Sequence, residues 1–304
     1  MNNKKLMKVV GLLAVVALVA ALLPVNRAKA AALYCVNEGG TGGCYSNIAA
    51  AVGPAVDGDI IYIQAGDYDE DVTISESLNF IGEVDEEGNP LPVIKGTLSA
   101  SSLTGETWRI ENLNFVDDGG DSISLTDGGN LTVSNCTFDG ANLFLSGHRA
   151  IQASGSNQLT VENSTFQNGW YVSLQGIYAS LNVKNSTFTN VKSGINVQGA
   201  AGNTVTIDNT DFSVIAQGMT NDTYGVRFAS EGASTGGNLT ITNSSFVVDK
   251  NGLVAQPGTY HSAIIIRSGA TGALKVENSS ILGDVINLTT SNRLDARFNW
   301  WGDL

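Results

Sequence analysis

The sequence predicts an all-β chain wound as a parallel β-solenoid, with a short helix capping its N-terminal end. Three observations predict it. A line of the form apolar-x-apolar-x-Asn-x-x-apolar recurs seven times between residues 108 and 281. The Asn-to-Asn spacings are 23, 28, 22, 24, 34 and 35 residues, short of the ~40–45 that a four-stranded propeller blade needs. Glycine numbers 35 and charged residues make up only 15%, a composition of short strands and tight turns rather than long helices.

The lines are "WRIENLNF" (108–115), "LTVSNCTF" (131–138), "LTVENSTF" (159–166), "LNVKNSTF" (181–188), "VTIDNTDF" (205–212), "LTITNSSF" (239–246) and "LKVENSSI" (274–281). The first half of each alternates with period two, the pattern of a strand with one buried face. Asn ends the strand, and the aromatic or aliphatic residue three positions later turns inward. One coil cannot bury its apolar face alone, but stacked coils form a continuous core. Equivalent residues of successive coils then lie ~4.8 Å apart. A column of carboxylates at that spacing would repel itself, whereas a column of amides both donates and accepts. Asn also tolerates the left-handed conformation that a sharp corner needs. Asn112, Asn135, Asn163, Asn185, Asn209, Asn243 and Asn278 are therefore expected to form a ladder, with side chains buried in the stack.

Nine Asn-x-Ser/Thr tripeptides invite a glycosylation reading, and five of them (Asn135, Asn163, Asn185, Asn243, Asn278) are ladder positions. Asn112 and Asn209 share the position with no such tripeptide, as a structural cause predicts. In "LDARFNWW", Phe298 falls where an eighth Asn would stand, and Trp300 and Trp301 are expected to cover the last coil. Cys136 stands where sister lines have Ser or Thr, so it is expected to pack as a small buried residue.

A second strand follows in several coils, in "RAIQASG" (149–155), "SGINVQG" (193–199), "YGVRFAS" (224–230) and "SAIIIRSG" (262–269), with longer insertions before it near 139–147, 213–223 and 247–261. Upstream, "IIYI", "VTI" and "LNFIG" between residues 60 and 82 supply further strands. In "SNIAAAVGPAV" (46–56), Ile48, Val52 and Val56 recur at helical spacing. Ser46 or Asn47 can cap that helix, which is expected to cover the exposed edge of the first coil.

Residues 1–30 read as a signal peptide: the basic "MNNKKLMK", an apolar run and an Ala28-Lys29-Ala30 cleavage site. Five of the sixteen basic residues (Lys4, Lys5, Lys8, Arg27, Lys29) and no acids lie there, so the mature chain carries 11 basic and 29 acidic residues, a net charge of −18. That charge excludes nucleic acid as a partner and repels anionic polymers, and no membrane span is expected after cleavage. An exported chain meets oxidising conditions. Cys35 and Cys44, which flank "VNEGGTGG" in an N-terminal segment at 31–45, are expected to pair. The solenoid domain is expected over 46–304.

Three stretches carry a family resemblance. "AAAVGPAVDGDIIYIQAGDYDEDVTISESLNFIG" (49–82) resembles the opening coil of the pectin-lyase-like superfamily, the "x-V-x-N-S-T-F" lines resemble its repeating coil, and "RFNWWGD" (297–303) is similar to a closing motif of bacterial surface β-helices. Together they cover roughly residues 46–303. The resemblance implies an all-β, right-handed parallel β-helix in a secreted or cell-surface protein. The superfamily holds lyases, hydrolases, esterases, epimerases and non-catalytic surface proteins, so it does not by itself fix an activity. Proteins ending a β-helix with that motif usually continue past it, which implies a chain longer than 304 residues.

Sugar-cleaving β-helices need carboxylates at set positions, or an Arg or Lys base with Ca²⁺. "NTDF" (209–212) shares Asn-x-Asp with the polygalacturonases but lacks their companion motifs, and Asp211 belongs to a ladder line. Asp117, Asp118 and Asp121, with His148 and Arg149, form the one candidate catalytic set: a carboxylate and an arginine could hold Ca²⁺ and remove a proton beside a uronate carboxylate. A solvated turn is the competing reading. No other cofactor or metal site is implied. A binding surface is the stronger expectation. Gln152, Asn196 and Arg227 fall at outward positions of the second strand, with Trp170, Tyr171, Tyr178, Tyr224 and Tyr260 at or near its edge. Aromatic faces with amides and an occasional Arg suit an extracellular polysaccharide or cell-surface glycan. The function expected is therefore a non-catalytic, adhesin-like scaffold, with a polysaccharide lyase or glycoside hydrolase as the alternative. The sequence leaves the oligomeric state open.

Overall fold

The repeat lines stack in register. In the computed structural model, which describes residues 30–141, 147–155, 158–177, 179–198, 202–216, 222–229, 237–253, 258–289 and 292–302, Leu131 pairs with Leu159, Leu159 with Leu181, Leu181 with Val205, Val205 with Leu239, and Leu239 with Leu274. All six are buried. Described strands form three parallel sheets of eleven, nine and ten strands, each strand paired with the equivalent strands of the coils before and after it. One coil visits all three. Gln158–Glu162 lies in the eleven-stranded sheet, Thr165–Gln167 in the ten-stranded sheet and Val172–Ile177 in the nine-stranded sheet. The last of these carries no Asn marker and no long apolar run, so the sequence did not single it out.

The inward aromatic of each line builds a column. Phe115, Phe138, Phe166, Phe188, Phe212 and Phe246 stack with ring centroids 4.6–4.8 Å apart and interplanar angles of 3–9°. The spacing is the coil rise itself, so backbone register rather than ring preference sets this geometry. Gly225 lies against the column: a Cβ there would stand 2.6 Å from the Phe246 ring.

The Asn corner is as sharp as the pattern predicts, but its side chains lie outside. All seven Asn residues have φ between 46° and 59°, and Phe298 follows at 60°. This is the left-handed region, which Asn enters at low cost. Six of the seven are exposed and Asn112 is half-buried, which corrects the expectation of a buried amide stack. Two amide contacts link neighbouring coils: Asn185 Nδ2 donates to Asn163 Oδ1 at 3.3 Å, and Asn209 Nδ2 to Asn185 Oδ1 at 2.9 Å. The buried ladder is one residue further on. Ser164, Ser186, Thr210, Ser244 and Ser279 are at most 3% exposed. Ser164 Oγ accepts the Cys136 N–H, Ser186 Oγ the Ser164 N–H, Ser244 Oγ the Thr210 N–H and Ser279 Oγ the Ser244 N–H, at 3.2–3.3 Å. Each of these hydroxyls donates to the carbonyl two residues back at 2.8–2.9 Å. Asn299 ends the ladder by accepting the Ser279 N–H. Inside, five coils carry a small hydroxyl, with Leu113 and Cys136 buried at the same position in two others; outside, the turn needs a residue that tolerates positive φ.

At the N-terminal end, helix α1 (Ile48–Val52) buries Ile48, Ala51 and Val52 in the same core as Ile61 and Ile63. Asn47 Oδ1 accepts the Ala50 N–H, and the Glu70 carboxylate accepts those of Ile48 and Ala49, so the free donors of the first turn are satisfied. The helix is shorter than its spacing suggests. Pro54 cannot continue it, and Val56 is 44% exposed. The solenoid also starts before residue 46, because Leu33–Val36 pairs in parallel with Ile60–Ile63. Cys35, in that first strand, is bonded to Cys44. At the other end, Trp300 and Trp301 pair with Ser280 and Ile281 as an outermost strand. They are 59% and 48% exposed, so they extend a sheet and do not seal the core.

Candidate functional site

The nine-stranded sheet carries the candidate site. Gln152, Gln175, Asn196 and Arg227 are Cα partners in four successive strands. The last three line a groove of about 370 Å³ with Arg149, Tyr171, Val172, Ser193, Tyr224 and Asp222. The Arg227 guanidinium is fixed from two sides: Nε donates to Asn196 Oδ1 at 3.0 Å, and Nη1 lies 3.4 Å from Asp222 Oδ2. It also sits over the Tyr224 ring, 5.0 Å from its centroid. The same pairing recurs on either side, with Lys192 Nζ 3.9 Å from the Tyr171 centroid and Arg267 5.4 Å from that of Tyr260. Cations packed on ring faces hold the aromatics in fixed planes.

Asp222 is the hub that sequence reasoning missed. Its carboxylate meets Arg227 and Arg267 and accepts the Tyr260 N–H at 3.0 Å. The acid lies in the insertion before its strand, where no periodicity marks it. Beside it, burial pushes the Lys192 amine down to about 8, with Asp222 opposing. Lys192 is 3% exposed and Tyr224 also 3%. Burial pushes the Tyr224 hydroxyl up.

Other expectations meet different fates. Trp170 is fully buried, and its Nε1 donates to the Phe138 carbonyl at 3.1 Å, so it is a core residue and offers no face to a sugar. Tyr178 lies outside the described residues. Tyr260 lines a neighbouring cavity rather than the groove. His261, the first residue of its strand, is 4% exposed. Gln152 continues the row of amides beyond the groove lining. Gln175, which the sequence did not single out, lines the groove because its strand was not recognised.

The candidate acids divide into two pairs on adjacent coils. His148 Nδ1 is 3.0 Å from both oxygens of Asp117, whose side chain is only 2% exposed. Asp121 Oδ1 accepts the Arg149 N–H at 2.9 Å, and its other oxygen lies 3.5 Å from Arg149 Nη1. Burial pushes the Asp121 carboxyl up against the pull of Arg149. Asp118 is exposed, and partial burial raises its carboxyl, with Asp69, Asp71 and Asp117 adding to the effect. Among the described residues no group of three or more His, Cys, Asp or Glu side chains is arranged to hold a metal ion. Asp211 accepts the Ser245 hydroxyl at the start of a strand of the ten-stranded sheet, away from the groove. No described helix is long and apolar enough to cross a membrane.

No curated protein matches the chain. Among solved structures, it is similar to the pectin methylesterase of Aspergillus niger, at 16% identity and a TM-score of 0.43 over 81% of this chain and 87% of that one. It is also similar to a PL6 family alginate lyase, at 13% identity and a TM-score of 0.46 over 82% of this chain and 39% of that one. A pectate lyase matches at 14% identity and a TM-score of 0.39 over 87% of this chain and 74% of that one. The family model described as the right handed beta helix region matches residues 99–293, more than half of the chain. With its coils stacked as three parallel sheets, the chain belongs to the right-handed parallel β-helix family.

Proposed function

We propose that this chain is a secreted or cell-surface β-helix whose groove contacts an extracellular polysaccharide or cell-surface glycan without turning it over. One observation carries the reading: the Gln175 and Asn196 amides and the Arg227 guanidinium stand in register along the groove, with Tyr171 and Tyr224 beside them. Amides meet sugar hydroxyls as donors and as acceptors. The half-buried Tyr171 ring offers an apolar face with a polar tip, and the buried Tyr224 ring backs the Arg227 guanidinium. The Asp222 and Tyr224 contacts hold Arg227 in one geometry, which lowers the ordering cost of binding. Export is supported by the basic, then apolar, then Ala-x-Ala pattern of residues 1–30.

The alternative is a carbohydrate-active enzyme, a polysaccharide lyase or glycoside hydrolase. Its specific support is the Asp117–His148 pair: with Nδ1 held by the carboxylate, Nε2 is left to move a proton. A glycan array, followed by reducing-sugar and unsaturated-uronate assays on every polysaccharide bound, separates the two. The scaffold reading expects binding that Arg227→Ala weakens, with no product. Product formation that His148→Ala abolishes would replace it with the enzyme reading.

A further inference from the structure

Beside the groove lies a second cavity, of about 250 Å³, lined by Lys250, Leu253, Thr259, Tyr260, His261, Ser262, Asp284 and Ile286. Thr259 lines both spaces, so they adjoin. Two polar side chains at this cavity, His261 and Ser262, lack partners. Neither ring nitrogen of His261 and no atom of the Ser262 hydroxyl has a hydrogen-bond partner among the described residues, and both side chains are at least nine-tenths buried. Buried polar groups are paired in the great majority of cases, so a buried imidazole facing an open cavity without a partner points to a missing one.

The chemistry of the walls defines that partner. Burial, opposed by Asp222 and reinforced by the charges of Lys250 and Lys192, pushes the His261 imidazole below its ordinary value and so favours its neutral form. A neutral imidazole offers one donor and one acceptor, and a hydroxyl matches both. Leu253, Ile286 and the Tyr260 ring give the cavity apolar walls. Lys250 and Asp284 lie 3.4 Å apart, each about half exposed, so these two charges satisfy each other and leave no net charge for an ionic ligand.

We infer that this cavity is a terminal subsite: it receives an uncharged, hydroxyl-rich sugar unit at the end of the glycan that the groove holds, with His261 and Ser262 bonding its hydroxyls. The inference rests on the groove reading and adds a ligand class and an end-on mode of binding to it.

The chain has two histidines, His148 and His261, so ¹³C-labelled histidine gives two ring signals, assigned with His148→Gln and His261→Gln. Methyl β-glucoside, methyl β-galactoside and methyl α-mannoside are titrated as neutral probes, with glucuronic acid as the anionic comparison. The expected result is a saturable shift of the His261 signal with at least one neutral glycoside and none with glucuronic acid. Ile286→Trp, which fills the cavity, weakens that response at least tenfold, with the fold checked by circular dichroism. A longer saccharide that still binds in an Arg227-dependent way, with no His261 response to any neutral glycoside, overturns this inference and leaves the groove reading standing. Absence of both responses overturns both. A response to glucuronic acid alone overturns the ligand class.

Discussion

The Ser186 hydroxyl accepts the N–H of Ser164 from the neighbouring coil at 3.3 Å and donates to the Lys184 carbonyl at 2.9 Å. One side chain thus links two coils and closes its own turn. Ser186→Ala leaves the buried Ser164 N–H without its partner, while the Lys184 carbonyl keeps the Asn163 N–H, and costs about 1–3 kcal/mol. The adjacent exposed residue behaves differently. Asn185→Gly keeps the positive φ and changes stability by about 0.5 kcal/mol or less, whereas Asn185→Ala pays about 1–2 kcal/mol for the left-handed backbone. Urea midpoints of the three variants check the order, and a larger loss for Asn185→Gly than for Ser186→Ala would return the supporting role to the amide.

The same geometry bears on glycosylation. Asn163 is exposed, and its described contact is through Oδ1, which accepts from Asn185. A sugar attached at Nδ2 projects outward and leaves the inner serine ladder untouched. Expression in a glycosylating host, with mass spectrometry at Asn163, is expected to yield a modified chain whose circular dichroism matches the unmodified one. A modified fraction that is unfolded would contradict the outward placement.

Cys136 is 2% exposed, and burial pushes its thiol up to about 12. The thiolate is the reactive form, so the native chain is expected to resist iodoacetamide at pH 8 and to react once unfolded in urea. Cys136→Ser restores the hydroxyl of its sister coils and changes stability by about 1 kcal/mol or less. Rapid alkylation of the native protein would mean that this corner opens.

Lys192 gives a pH signature. Its folded value of about 8 lies below the ordinary 10.5, so between these values the unfolded chain binds the extra proton and stability rises with pH. Below pH 8 both states are protonated and the full cost of the buried charge is present. The expected gain from pH 8 to 10.5 is roughly 2–3 kcal/mol. Because tyrosines titrate in the same range, the readout is the difference between wild type and Lys192→Met in urea midpoint against pH. That difference shrinks as pH rises; one that stays constant would place the amine in water.

Much of this fold was legible because three positions of each line answer to separate demands. Leu and Val at alternating positions mark the buried face of the eleven-stranded sheet, Phe marks the inner column, and Asn marks a backbone angle. The Asn signal is conformational, which is why Phe298 can adopt the same corner at φ 60° with no amide. The site was legible in part. Asn196 and Arg227 fell on the groove because outward positions of a strand follow from its alternation, and Tyr171 and Tyr224 because they stand at or near a strand edge. Asp222 did not, because it belongs to an insertion and acts through partners 5 and 45 residues away. Trp170 reads as an edge aromatic, yet its ring turns inward to a carbonyl 32 residues back. His261 opens its strand and is nonetheless buried. The contacts of Asp222 with Arg267 and of Trp170 with the Phe138 carbonyl span coils, which local pattern does not encode.

We propose that the groove on the nine-stranded sheet binds glycan. The most direct test is isothermal titration of an array-selected oligosaccharide against wild type, Arg227→Ala and Trp301→Ala. Glycan binding in the groove predicts about tenfold weaker affinity for Arg227→Ala, the loss of one charged hydrogen-bonding group, and unchanged affinity for Trp301→Ala. Binding that survives Arg227→Ala intact and is lost in Trp301→Ala would move the site to the exposed aromatic end of the solenoid and contradict the claim.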